Sequence, residues 1–214
     1  MIPLKDDNPT KTFPFITILL IVANIAVFLY ELSLGSGVEY LVSVMGAIPY
    51  EITHIHLNPK VSLTLITSLF LHGSILHLLG NMLYLWIFGN NIEDAVGHIK
   101  FVLFYLITGV AASMTHILLN TDSMVPVIGA SGAISGVMGA YFLFYPRARV
   151  LTLIPFFIFI RIIKVPAFFF LGFWMLFQVI SGINVSQSGE AGIAWFAHIG
   201  GFAAGLILAP IFKK

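Results

Sequence analysis

A serine hydroxyl becomes a useful nucleophile when a histidine can take its proton, and this chain presents the two residues on separate apolar stretches. Gly129-Ala130-Ser131-Gly132 opens one stretch, and Ala194-Trp195-Phe196-Ala197-His198 opens another. The chemistry available to such a pair is acyl transfer: Ser131 attacks a carbonyl, and His198 acts first as base and then as acid toward the leaving group. The tetrahedral oxyanion needs donors, each worth about 2.7–4 kcal/mol. Asn81, His77 and the backbone N–H of Ser131 at a helix start are the candidates. His77 and Asn81 are four residues apart, a spacing that puts them on one helix face. The apolar stretches hold no Asp or Glu, so the acid that usually orients the imidazole is missing and a dyad is expected.

Each residue also has a plainer reading. Ser131 suits a helix N-cap, His198 a hydrogen-bonded interior histidine, and Asn81 a bond between packed helices. The chain has no cysteine, so a thiolate nucleophile and a sulfur-ligated metal are excluded. His54 and His56 lack a third ligand and read as surface residues. His72 reads as polar support for the loop ahead of His77. His98 and His116 have no assigned role.

The elements that must position these groups are membrane spans. Charged residues make up 9% of the chain and apolar residues 59%, against about a quarter charged for a soluble domain. A helix needs about 20 mostly apolar residues to cross the hydrocarbon core, and a charge at its centre costs about 2.5–3.5 kcal/mol. Spans are expected at about 12–30, 74–92, 101–121, 131–146, 165–183 and 193–212. They make one all-α, polytopic membrane domain covering residues 1–214. The uncharged run from Val61 to Ile92 is too long for one crossing, so Leu71-His72-Gly73-Ser74 within it reads as an approach loop. Val150 to Ile160 is too short to cross and reads as interfacial or re-entrant. Residues 31–73 form an external region with short interfacial helices, and residues 1–11 a cytoplasmic tail without a cleavable signal peptide.

With six crossings and a cytoplasmic N-terminus, nine of the ten Lys and Arg residues fall inside and only Lys60 outside, as the positive-inside rule requires. Both termini are then cytoplasmic, and spans two, four and six enter from the outer face. His77, Asn81, Ser131 and His198 share one layer there, roughly 5–10 Å below the interface by helical rise. Polar groups at membrane depth usually face a protein interior or a watery cavity, so their common depth carries information that no single residue does. Gly132 and Gly136 on span four, and Gly201 and Gly205 on span six, have the spacing that lets helices pack closely. The net charge of +1 gives no reason to expect nucleic acid as a partner.

Leu71-His72-Gly73-Ser74-Ile75-Leu76-His77-Leu78-Leu79-Gly80-Asn81, Gly129-Ala130-Ser131-Gly132 and Ala197-His198-Ile199-Gly200-Gly201 together resemble the rhomboid intramembrane serine proteases in content, order and spacing. The resemblance implies a six-helix rhomboid-like bundle in the lipid bilayer. It also implies hydrolysis of peptide bonds in or near the transmembrane segments of membrane-protein substrates, without metal or cofactor. Carried across residue by residue, it makes Ser131 the nucleophile, His198 the base, and His77 and Asn81 oxyanion partners. The sequence departs from the family pattern twice. No Trp-Arg pair stands between Glu31 and Lys60, and Ser135 occupies the place where some members stack an aromatic on the catalytic histidine.

Phe168, Phe169, Phe170, Phe173 and Trp174 on span five read as lipid-facing bulk, with lateral gating by that helix as the second reading. A rhomboid-like binder of transmembrane helices without catalysis is the alternative function. A transporter or channel would show intramembrane acids or matching broken helices, and neither is visible. The lack of appended domains and of a transit-like N-terminus leads to the expectation of a prokaryotic plasma membrane.

Overall fold

The computed structural model describes residues 1–54, 58–156, 159–188 and 194–214. Among them, ten α-helices and three strands follow in chain order. Helices α1 (Phe15–Ser33), α7 (His98–Leu118), α9 (Ala167–Ser188) and α10 (Trp195–Phe212) carry the long apolar runs. Among the described residues four helices are long and apolar enough to cross a membrane, α9 over its part Ala167–Asn184. The run from Pro59 to Val96 breaks into two arms bent by 81°. The break falls at the Leu71 to Ser74 approach loop, as its glycine and the run's excess length predict.

The first arm contains α4 (Pro59–Thr67) and a 3-10 turn, Ser68–Phe70. The second runs through α5 (Ile75–Tyr84), a π-helical turn at Leu85–Gly89 and α6 (Asn90–Val96). Helix α8 (Ser131–Phe144) has 14 residues and falls short of span length by itself. It is also the most enclosed helix, with every residue from Gly132 to Tyr141 buried. A helix wrapped by protein needs no full apolar length facing lipid.

Residues 31–73 hold two further short helices, α2 (Val38–Met45) and α3 (Pro49–His54). No Trp-Arg pair is needed to anchor it. The buried Glu31 carboxylate accepts the His72 N–H at 3.1 Å, Ala47 and Val127 exchange backbone bonds, and the Thr67 hydroxyl donates to Met45 O at 2.7 Å.

The all-α expectation needs correcting at the opposite end of the bundle. β1 (Ile2–Asp6), β2 (Arg149–Phe156) and β3 (Phe159–Pro166) form an antiparallel sheet in the order β1-β2-β3. The described residues of the run from Val150 to Ile160, Val150–Phe156 and Phe159–Ile160, are therefore strand rather than an interfacial or re-entrant stretch, and Ile2 to Asp6 within the 1–11 tail is an edge strand. Val150, Thr152, Ile154, Ile162, Ile163 and Val165 are β-branched, which suits a pleated surface better than a helix. Arg149 pairs with Pro166 at one end of the hairpin and Phe156 with Phe159 at the other. β1 shifts register between Pro3 and Lys5, where proline has no N–H for the ladder.

Candidate active site

Helices α8 and α10 touch backbone to backbone. A Cβ added at Gly201 would lie 2.1 Å from Gly132 O, and one at Gly205 would lie 2.0 Å from Gly136 O. The glycine spacing read from the sequence is thus a close-packed seam, and no other residue type fits it. Gly139, whose Cβ would meet Phe202 O at 2.2 Å, extends the seam by one turn.

Ser131 is the first residue of α8, and His198 lies in the first turn of α10. With the two main chains this close, the side chains meet: His198 Nε2 lies 2.9 Å from Ser131 Oγ. The other ring nitrogen, Nδ1, lies 2.7 Å from Gln178 Oε1 on α9. Gln178 Nε2 donates to Trp174 O at 3.3 Å, which turns the amide so that its oxygen faces the ring. Nδ1 then carries the proton and donates to Gln178. Nε2 keeps its lone pair and accepts from the serine hydroxyl.

Gln178 was missed from sequence because the search for an orienting group considered acids alone. The available signal was an uncharged amide in the middle of an otherwise apolar span. The aromatic reading of span five divides in the structure. Phe168, Phe169 and Phe173 are exposed and Phe170 is buried. Trp174 faces the imidazole at 5.9 Å between ring centroids, and Trp195 meets it edge-on at 6.3 Å. These two indoles pack the ring that Ser135 leaves uncovered, while the Ser135 hydroxyl donates to Ser131 O at 2.6 Å.

His77 and Asn81 face the turn ahead of Ser131. Gly129 has φ +116°, and a Cβ there would lie 2.7 Å from the His77 ring and 3.7 Å from Asn81 Nδ2. Glycine is required twice over, for the dihedral and for the space. Gly129 N–H donates to Ser68 O at 2.8 Å, fixing the turn. Asn81 Nδ2 donates to His72 Nε2 at 2.9 Å, and His72 Nδ1 donates to Phe70 O at 3.2 Å. His72 therefore holds Asn81 as well as supporting its loop. Ser131, His198, His77, Asn81, Trp174 and His116 all line one cavity of about 1130 Å³, large enough for a stretch of peptide. His54 stacks on Tyr50 and lies 3.7 Å from Asp122, while His56 is outside the described residues. Among the described residues no cluster of three metal-ligating side chains occurs.

Residues 60–214 match the Rhomboid domain family. The chain belongs to the rhomboid family. Curated rhomboids similar to it include RHOMBOID-like protein 1 of Arabidopsis thaliana, 32% identical over 69% of this chain and 34% of that protein. Rhomboid protein 1, mitochondrial, of Saccharomyces cerevisiae is 29% identical over 74% of this chain and 44% of its own length. RHOMBOID-like protein 6, mitochondrial, of Arabidopsis thaliana is 43% identical over 36% of this chain and 24% of that protein. The chain spans less than half the length of these rhomboids. Family membership and the apolar helices together make it an integral membrane protein.

Proposed function

We propose that this rhomboid hydrolyses peptide bonds in or near the transmembrane segments of other membrane proteins, with Ser131 as nucleophile and His198 as general base and acid. The observation that carries the reading is the 2.9 Å approach of His198 Nε2 to Ser131 Oγ at the wall of an open cavity. Oγ attacks the carbonyl carbon while its proton passes to Nε2. The C–N bond then breaks, the proton goes to the leaving amine, and an ester remains on Ser131. Water repeats the sequence: its proton goes to Nε2, its oxygen joins the acyl carbon, and the ester bond breaks with the proton returned to Oγ. The oxyanion is received by the Ser131 N–H at the start of α8, the free amide proton of Asn81, and His77.

The same proposal has six crossings in a single domain, with α8 as a short fourth span and the cavity opening to the outer side. Its support is the positive-inside count, which leaves only Lys60 outside, and the enclosure of α8 by protein. The prokaryotic plasma membrane draws no support from relatives that are eukaryotic and in two cases mitochondrial by name.

The test is cleavage of tagged single-span substrates in liposomes by the wild type, Ser131→Ala and His198→Ala, with cut sites read by mass spectrometry. Turnover is expected to fall at least about 10³-fold in both variants, with thermal unfolding unchanged. Cleavage that survives Ser131→Ala removes the mechanism. Binding of helices by a wild type that never cleaves them leaves the non-catalytic reading.

A further inference from the structure

The sequence offers a serine and a histidine and no acid to orient them, yet the imidazole is held at both nitrogens. We infer that Gln178 is a positioning residue for His198, accepting the Nδ1 proton through Oε1, so that the site works as a Ser-His-Gln relay with a neutral third member. The inference rests on the protease reading above for its kinetic consequences, but its geometry stands independently.

Four observations carry it. The Nδ1···Oε1 distance is 2.7 Å, within the range of a well-formed bond. Gln178 is 3% exposed, and a buried amide without a partner would be costly. Its Nε2 is engaged by Trp174 O, so the amide cannot turn to present a donor to the ring without giving up that bond. Finally, the cavity wall contains no carboxylate among the described residues. The titratable side chains that share the cavity wall with His198 are His77 and Tyr84 from α5 and His116 from α7, and none is bonded to its Nδ1.

A neutral acceptor does part of what an acid does. It selects the tautomer with Nε2 free and fixes the plane of the ring, both of which the serine needs. It adds no negative charge to stabilise the imidazolium, so the base ionises without a counter-ion. The location matters too. Ser131 and His198 sit on the glycine-packed pair α8 and α10, whereas Gln178 belongs to α9. The base is therefore aligned only while α9 lies against that pair, and any outward tilt of α9 releases the ring.

The experiment compares wild type, Gln178→Met and Gln178→Glu in liposomes, with kcat and KM measured across pH and thermal unfolding measured in parallel. The His198 tautomer is read from imidazole ¹⁵N shifts, assigned with His198→Ala. Methionine keeps the length and bulk of the side chain and removes the acceptor. Gln178→Met is expected to lower kcat about tenfold, with KM and unfolding temperature little changed, and to give a mixed tautomer signal. Gln178→Glu is expected to restore turnover and to move the acid limb of the kcat profile upward by about 1–3 pH units, because an adjacent carboxylate favours the protonated ring. Unchanged kcat in Gln178→Met, or an unmoved acid limb in Gln178→Glu, overturns the inference. A wild type inert toward every substrate, with an Nδ1-protonated ring that becomes mixed in Gln178→Met, upholds the positioning contact and overturns the protease reading instead.

Discussion

Where α6 meets the start of α1, every carboxylate oxygen of Glu93 and Asp94 is occupied. Glu93 accepts from Ile16 N–H, Thr17 N–H and the Thr17 hydroxyl, and pairs with His98. Asp94 accepts from Lys11 N–H, Thr12 N–H and the Thr12 hydroxyl. Around Ser131 the polar groups are neutral: Asn81 is held from behind by His72 and His198 by Gln178, and each keeps capacity on the cavity side. Asn81 gives one amide proton to His72 and retains another, and the Ser131 N–H opens a helix without an intrahelical acceptor. Both regions place polar atoms among apolar helices. The first uses helix-terminal amides to neutralise charge and closes on itself; the second leaves donors unspent for a ligand. Full occupancy marks a structural clamp, and partial occupancy marks a site.

That contrast can be tested from both sides. The largest expected effect is at the cavity: Asn81→Ala should lower kcat by about 10²–10³-fold through loss of an oxyanion donor, with thermal unfolding nearly unmoved. Loss of stability in step with activity would make Asn81 a clamp residue like Glu93. Glu93→Ala should do the reverse, costing about 3 kcal/mol in denaturant unfolding in micelles by orphaning two amides and a hydroxyl, while the folded fraction retains its kcat. A smaller change is expected at the seam between the regions. Gly205→Ala places a methyl against Gly136 O and should cost about 1–3 kcal/mol of stability, with turnover falling as α10 is pushed from α8. Equal kcat in wild type and variant would show that the Ser–His approach does not depend on the seam.

The smallest effect is at Asp6, which accepts a 2.6 Å bond from the Tyr141 hydroxyl. Burial raises its carboxyl above the usual value of 3.8, against the opposing effect of that bond. A folded pKa above the unfolded one favours the protonated form, so this contribution is fully present below pH 3.8 and is lost as pH rises through the folded value. Asp6→Asn should therefore gain unfolding temperature relative to wild type as pH rises above 3.8 and then level off once the folded carboxyl is ionised. A difference that stays flat across the range would remove the linkage.

The long apolar helices and the residues that share the cavity were legible because both depend on one periodic property, depth along a helix. Counting residues from the start of each apolar run places Asn81, Ser131 and His198 at one level without knowledge of how the helices pack. The sheet was not legible for the opposite reason. β1 pairs with a strand almost 150 residues away, and nothing within Ile2 to Asp6 encodes that partner. Val150 to Ile160 is apolar on both faces, so no alternation separates strand from short helix. The inward side of α9, with Trp174 and Gln178, was not legible because an apolar helix in lipid has no polar face to reveal which side turns inward; Trp174 faces the imidazole while its neighbour Phe173 is exposed. The role of His72 needed the fold of the approach loop before its contact with Asn81 could be seen.

The glycine seam has a consequence for how this rhomboid meets different bilayers. Between α8 and α10 no rotatable side chain separates the two main chains, so the pair behaves mechanically as one double rod. A change of hydrocarbon thickness is met by tilt, and a double rod tilts as a unit, carrying Ser131 and His198 together. Turnover differences between thick and thin membranes then report how easily a substrate helix reaches the cavity and how closely α9 stays against the rod, since the two main chains that carry nucleophile and base keep their separation.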